Sequence, residues 1–296
     1  MNQRVPKVEK ISRDDFVSID ASTIFEGDAL TVLRCIPSGS VRCVVTSPPY
    51  WGLRDYGIKD QIGLEQSMQQ FFHKLIAVFS EVRRVLTDDG TLWLNIGDGY
   101  TSGNRSYRAP DKKNPARAMS VRPDTPEGLK PKDLLGIPWR LAFALQDDGW
   151  YLRSDIVWHK SNAMPESVRD RPSRSHEYLF MFSKSERYYY DCEAVKEPAD
   201  NGKTRNRRSV WSIKTKGFVG AHFATFPTEL VRPCVMASTQ PGDYVLDPFF
   251  GAGTVGVVCQ DEGRNYLGIE LNPEYVSIAV NRLKSDENNV IRISVA

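Results

Sequence analysis

The chain has 296 residues, 41% of them apolar, and a formal net charge of +2, which suits one large domain or a core domain with an insertion. No apolar run approaches the roughly 18 residues of a membrane span, and the polar opening stretch lacks the apolar centre of a secretory leader, so a cytoplasmic protein is expected. Cys35, Cys43, Cys192, Cys234 and Cys259 have no paired spacing, so they read as reduced thiols, with no zinc site and no other metal expected.

Residues 1–20 read as a loosely docked arm. A short strand over 22–25 leads to Asp28, which either caps a helix over 29–35 or reaches a ligand from the strand end. Val41, Cys43, Val44 and Val45 are the apolar run of a buried parallel strand. That strand must stop at Ser47-Pro48-Pro49-Tyr50, because consecutive prolines cannot donate to a ladder. The stiff corner lies at the carboxyl end of its strand, where open α/β sheets bind ligands. It offers a hydroxyl, free carbonyls and the ring of Tyr50, which suit a planar base carrying an exocyclic amine. The plain alternative is a proline turn with core aromatics.

Beyond Trp51, Arg54 and Asp55 stand in a loop over 52–63, where they touch a ligand or pair with each other. Helical periodicity runs over 67–86 and is ended by the turn residues Thr87-Asp88-Asp89-Gly90; a strand follows over 91–96. This is the rhythm of a doubly wound sheet. Residues 100–131 are Pro-rich and basic, with Arg105, Arg108, Lys112 and Lys113 among the cations. A loop that long reads as a mobile arm closing on DNA phosphates, or as a solvated insertion. A helix over 132–148 and strands over 150–159 and 177–183 come next; the two strands are close enough for an antiparallel hairpin. Arg169, Arg171 and Arg174 lie between them, and Arg205, Arg207 and Arg208 precede Trp211. Cations interleaved with aromatics suit phosphate and base-edge contacts.

The last third holds a helix over 228–237, a strand over 244–247, the turn Pro248-Phe249-Phe250-Gly251-Ala252-Gly253-Thr254, and a strand over 266–270 ending in Glu270. Glycines let backbone approach a ligand, and an acid at the second strand end accepts from two ribose hydroxyls. Asn272-Pro273 opens the final helix. The segment Gly251–Gly256 also matches G-x-G-x-x-G, so a nicotinamide enzyme is a rival reading. That rival has too little chain after the turn and leaves the Ser47–Tyr50 corner unexplained.

The corner, with the donor-end turn, resembles the amino-group DNA methyltransferases, whose motif IV reads (S/N/D)-P-P-(Y/F/W); the likeness covers most of the chain. The resemblance implies a Rossmann-like α/β methyltransferase sheet, doubly wound and mostly parallel, with an antiparallel hairpin at one edge. The donor strands come last in the chain, so the sheet is circularly permuted, with the motif order of the β group. It implies S-adenosylmethionine as methyl donor, a flipped base in double-stranded DNA as target, and a prokaryotic or viral origin. By likeness, motif IV supplies Ser47, Pro48, Pro49 and Tyr50 as catalytic residues. Motif III supplies Asp28, motif X supplies Thr225 and Phe226, and motif I supplies Asp247, Phe249, Gly251, Gly253 and Thr254, with Glu270 beyond, as donor contacts. Phe226 stands where many relatives have Lys. The Ser form is similar to the cytosine-N4 branch, with adenine-N6 as runner-up.

The catalytic domain is expected over 21–160 and 221–286, and the target-recognition region over 161–220. DNA contacts are expected at Trp51 and Arg54, in the basic loop, and at Arg169, Arg171, Arg174, Arg205, Arg207 and Arg208. A cognate restriction endonuclease and a homodimer are expected partners. Pro233-Cys234 raises a cytosine-C5 mechanism, but Cys234 sits inside a predicted helix without an accompanying motif. A catalytically silent nucleic-acid-binding protein is the third class of reading.

Overall fold

The computed structural model describes residues 17–19, 21–102, 123–200, 202–216, 226–283 and 290–292. In chain order the elements are β1 (Thr23–Glu26), α1 (Ala29–Cys35), β2 (Val41–Thr46), α2 (Met68–Val85), β3 (Leu86–Ile96), α3 (Ile137–Asp147), β4 (Tyr151–His159) and β5 (His176–Ser183). There follow β6 (Glu197–Pro198), β7 (Thr204–Arg205), β8 (Val210–Ser212), α4 (Thr228–Ser238), β9 (Tyr244–Asp247), α5 (Thr254–Asp261), β10 (Asn265–Glu270), α6 (Pro273–Leu283) and β11 (Val290–Arg292). Nine strands form one sheet in the order β11-β1-β10-β9-β2-β3-β5-β4-β8. Only β5 runs against its neighbours, pairing antiparallel with β3 and β4. The donor-end strands β9 and β10 thus lie between β1 and β2, which come first in the chain.

Two apolar layers sandwich the sheet. One joins the inner faces of α1, α2 and α3 to Val44, Leu92, Phe180 and Leu246; the other joins α4, α5 and α6 to Cys43, Val45, Trp93 and Val245. Adjacent residues of β2 therefore serve opposite layers, as the two-residue period of a strand requires. Chain leaving β2 reaches α2 in the first layer, and chain leaving β9 reaches α5 in the second. Neighbouring strands that send their connections to opposite faces open a crevice at their carboxyl ends, and a cleft lies there.

Local sequence accounts for most element ends. α2 opens on a reciprocal capping box, Ser67 with Gln70, and buries Phe71, Leu75, Val78, Phe79 and Val82 at helical spacing. Gly136 and Gly253 hold the left-handed conformation ahead of α3 and α5, with φ of 71° and 76°.

Three expectations change. Thr87–Gly90 is not a free turn: α2 runs directly into β3 at Leu86, and the register against β2 shifts between Val41 and Cys43. Gly90 permits this, since a Cβ there would stand 3.0 Å from the Arg42 carbonyl oxygen. Trp51 is no DNA contact: it is buried, and its indole N–H donates to the Glu65 carbonyl at 2.9 Å, pinning the loop after β2. Trp211 belongs to β8, which joins the main sheet beside β4 and packs Trp211 against Trp93, so part of 161–220 is built into the core.

All five cysteines are free thiols; Cys192 is exposed and the others are buried. Burial pushes the Cys43 thiol up to about 12 and that of Cys234 well above its usual range. Cys234 lies within α4 and donates to the Leu230 carbonyl at 3.3 Å, which fits a packing residue and not the nucleophile of a C5 mechanism.

Candidate active site

The carboxyl ends of β1, β2, β9 and β10 frame a cleft of about 680 Å³, within the ordinary range for a site that engulfs a small molecule. The donor-end and corner residues meet in it. Asp28, Ser47, Pro48, Pro49, Tyr50, Arg54, Arg174, Phe226, Asp247, Phe249, Gly251, Thr254 and Glu270 all line its wall.

The donor end is made of backbone and buried acids. Glu270 closes β10; its two carboxylate oxygens accept from the N–H groups of Gly251 and Asn272, both at 2.8 Å. The carboxylate keeps acceptor capacity for a further donor such as a ribose hydroxyl. Burial raises its carboxyl, opposed by these N–H bonds. Gly251 has φ of 52°, and a Cβ there would meet nothing within 4 Å, so this turn borders open space as a ligand cradle must. Gly253 does not line the cleft; it turns the chain into α5, where a Cβ would press Ala279 and Leu283 at 3.2 Å. Asp247 ends β9 and accepts from Thr46 Oγ1 at 2.6 Å and Phe249 N at 3.0 Å. Burial pushes its carboxyl up to about 7. Asp28 caps α1 through Thr31 N at 2.9 Å, and it also lines the cleft. Above Glu270, the rings of Tyr56 and Tyr275 meet edge to face at 6.4 Å. Thr225 lies outside the described residues.

The corner end is made of side chains from distant parts of the chain. Tyr50 donates its hydroxyl to Glu177 Oε2 at 2.9 Å. Burial, and then the charge of Glu177, push the phenol well above its ordinary range, so it stays a neutral hydroxyl. Glu177 also pairs with Lys160 and accepts from Asn95 Nδ2 at 3.3 Å. Lys160 sits 4.4 Å above the ring of Trp158. Asp98, at the same wall, caps α3 by accepting from Gly136 N and Ile137 N, each at 3.1 Å. Sequence reading missed Glu177, Lys160, Asn95 and Asp98. The available signal was an acid, Glu177, at the start of an otherwise apolar strand.

Among the remaining expected DNA contacts, Arg171 pairs with Glu166 at 2.6 Å and stacks on Tyr100 at 3.9 Å. Arg169 is exposed beside it. Arg205 pairs with Glu197 across the small ribbon of β6 and β7. Arg207 and Arg208 line a second cavity of about 220 Å³, away from the cleft, where Arg207 stacks on Trp211 at 4.4 Å. Arg105, Arg108, Lys112 and Lys113 lie outside the described residues.

A DNA methylase family model, that of the N6/N4 enzymes, matches residues 41–281. The chain is 75% identical over 289 residues to the Type II methyltransferase M.Cfr9I of Citrobacter freundii, covering 98% of this chain and 96% of that one. It is 76% identical over 289 residues, with the same coverage, to M.XycI of Xanthomonas campestris pv. cyanopsidis. Among solved structures it resembles a DNA modification methylase of Thermus thermophilus complexed with S-adenosyl-L-methionine, at 25% identity and a TM-score of 0.62, covering 93% of this chain and 99% of that one. It shares the fold of the cytosine-N4-specific PvuII DNA methyltransferase at 20% identity and a TM-score of 0.68, covering 98% of this chain and 100% of that one. With the shared cleft and these likenesses together, the chain belongs to the N6/N4 DNA methylase family.

Proposed function

We propose that the protein is a site-specific DNA methyltransferase that moves a methyl group from S-adenosylmethionine to the exocyclic N4 of a flipped cytosine in duplex DNA. The observation that carries this reading is the common cleft: the Ser47–Tyr50 corner and the Gly251–Glu270 cradle line one continuous cleft. The cradle fits the donor, because its glycine backbone borders free space and its acid retains acceptor capacity. S-adenosylmethionine, when bound, supplies an electrophilic methyl on a sulfonium that leaves readily. Glu270 holds the ribose, and Phe249 and Phe226 shape the apolar wall. Ser47 and the Pro48 carbonyl accept the amine hydrogens, drawing the nitrogen lone pair out of conjugation with the ring. Tyr50 stacks on the base. Positioning and fixed acceptors then do most of the work. Withdrawing the base from the duplex costs on the order of a few kcal/mol, which phosphate contacts from Arg54, Arg174 and the basic segments offset.

The β-group motif order fits the sheet, in which β9 and β10 follow the corner in sequence. Residues 161–220, apart from β8, serve as the target-recognition region, and the basic residues of 100–131 close on the DNA. A cognate restriction endonuclease is the partner suggested by the Type II names of the relatives; a homodimer is to be sought by light scattering. The test is incubation with methyl-labelled donor and DNA, followed by nucleoside digestion and mass spectrometry. N4-methylcytosine is expected. N6-methyladenine would overturn the choice of base, and no labelled nucleoside at all would remove the activity.

A further inference from the structure

The connection from β4 to β5, residues 160–175, is braced along its length. Its ends are tied by Lys160 N, which donates to the Ser175 carbonyl at 2.7 Å, and a tight turn brings Ala163 N to the Lys160 carbonyl at 3.0 Å. Asn162 grips the chain beyond β8: its amide donates to the Thr215 carbonyl at 2.9 Å, and its oxygen accepts from Thr215 N at 2.8 Å and Thr215 Oγ1 at 3.1 Å. Further along, Glu166 accepts from Arg171 at 2.6 Å and from Arg174 N at 3.4 Å. The connection is thus a fixed ledge at the corner end of the cleft.

Met164 stands on this ledge, 82% exposed. A single exposed apolar residue is ordinary; its place is what matters. Among the described residues it is the most exposed large apolar side chain, and of those exposed it alone lines the cleft; Val210, next at 62%, lies on β8. Neither the ledge nor the core uses it. The root of the ledge is tied to the base platform, because Lys160 pairs with Glu177 and Glu177 accepts from Tyr50. Met164 follows Lys160 by four residues, so their Cα atoms lie within about 14 Å. Arg169, exposed, and Arg174, at the cleft wall, flank it on the same connection and suit phosphates.

We propose that Met164 is an intercalating wedge, which enters the duplex stack at the place the target base vacates. This rests on the reading of the cleft as the site of a flipped base. Flipping leaves a gap about 3.4 Å thick along the strand. Apolar side chains, methionine among them, enter such steps in other DNA-binding proteins. An unbranched, polarizable thioether fits a thin gap between aromatic faces. A wedge must also resist being pushed back, and the bonds of Asn162, Ala163 and Lys160 supply that resistance. Insertion buries the exposed side chain and offsets part of the cost of unstacking.

The test compares the wild type, Met164→Ala and Met164→Leu on two duplexes that carry the site mapped by sequencing methylated genomic DNA. One duplex is fully paired. In the other, the partner of the target base is replaced by an abasic nucleotide, so that little pairing or stacking opposes flipping. Methylation is followed with tritiated donor, and donor affinity by calorimetry. For Met164→Ala, kcat/KM on the paired duplex is expected to fall by about tenfold, the loss of one buried apolar side chain. On the abasic duplex the ratio of variant to wild type is expected to return close to one. Taking the ratio on each duplex cancels any loss of site recognition common to both proteins. Met164→Leu, which keeps an apolar wedge, is expected to recover most of the fall, and donor affinity is expected not to move in either variant. Wild-type kcat/KM in Met164→Ala, an equal loss on both duplexes, or a loss of donor affinity overturns the wedge while methylation by the wild type leaves the methyltransferase reading standing. No labelled nucleoside from the wild type on any DNA overturns both.

Discussion

The two ends of the cleft are built by different means. At the donor end, the glycine turn is set by sterics: Phe250 lies in a niche that only glycines can provide. A Cβ on Gly268 would come within 2.4 Å of its ring, and one on Gly256 within 2.9 Å. Arg282 then ties the turn down through the Ala252 carbonyl and Thr254 Oγ1. At the corner end, geometry depends on charged and polar side chains brought from far away, such as Tyr50 and Glu177, which are 127 residues apart. The donor end is a rigid mould, while the corner end is an adjustable network. A ligand common to a whole family suits the first, and a base that varies between relatives suits the second.

The sharpest way to break this contrast is to crowd the mould. Gly268→Ala is expected to lose about 1–3 kcal/mol of stability, because neither the ring nor the strand can yield. Thermal melting reads it, and Phe250→Leu in the same chain is expected to recover part of the loss. If Gly268→Ala melts like the wild type, the niche is not rigid.

A pH-dependent effect comes from the buried acid between the two ends. Asp247 has its carboxyl raised to about 7 by burial, against about 3.9 in an unfolded chain. The folded state thus holds the proton more tightly. The stability this contributes is fully present below about pH 4 and is lost as pH rises to about 7. Asp247→Asn carries no such dependence. Its melting temperature is therefore expected to gain on that of the wild type between about pH 5 and pH 8. A constant difference across that window would mean that Asp247 ionises normally.

How much of this was legible follows the same division. The sequence of β9, the turn and β10 is contiguous, and its glycines, its terminal acid and the proline corner after β2 each carry a local steric meaning. Their convergence on one cleft could be anticipated. Glu177 and Lys160 could not, because their position depends on the register that places Tyr178 against Ile96 and Val157. Nothing in the residues around Glu177 sets that register. Trp51 failed for a related reason: its partner is the backbone carbonyl of Glu65 in the same loop, and a carbonyl has no sequence signature. The run Thr87–Gly90 looks like a turn by composition, yet it forms a bulge within β3, between the Val41–Leu86 and Cys43–Thr91 pairings, with the Asp89 and Gly90 carbonyls accepting from Tyr189 N and Lys184 N. Arg205 illustrates the weakest inference, from charge alone; it has a partner in Glu197 on an outlying ribbon.

The smallest expected effect tests that ribbon. Arg205→Ala removes a partly exposed ion pair, and its cost in stability is expected to stay below about 1 kcal/mol. The cleft, which it does not touch, should bind donor as before by calorimetry. A change in donor affinity would join the ribbon to the active site and blur the division between mould and network.

The distribution of thiols has a practical side. Four of the five cysteines are sealed in the interior, and Cys192 stands alone at the surface, in the segment that leads from β5 toward the ribbon. A maleimide dye should therefore attach at one place in the native protein without mutagenesis. The natural chain thus carries its own attachment point for a fluorophore, from which docking on labelled DNA could be followed in real time.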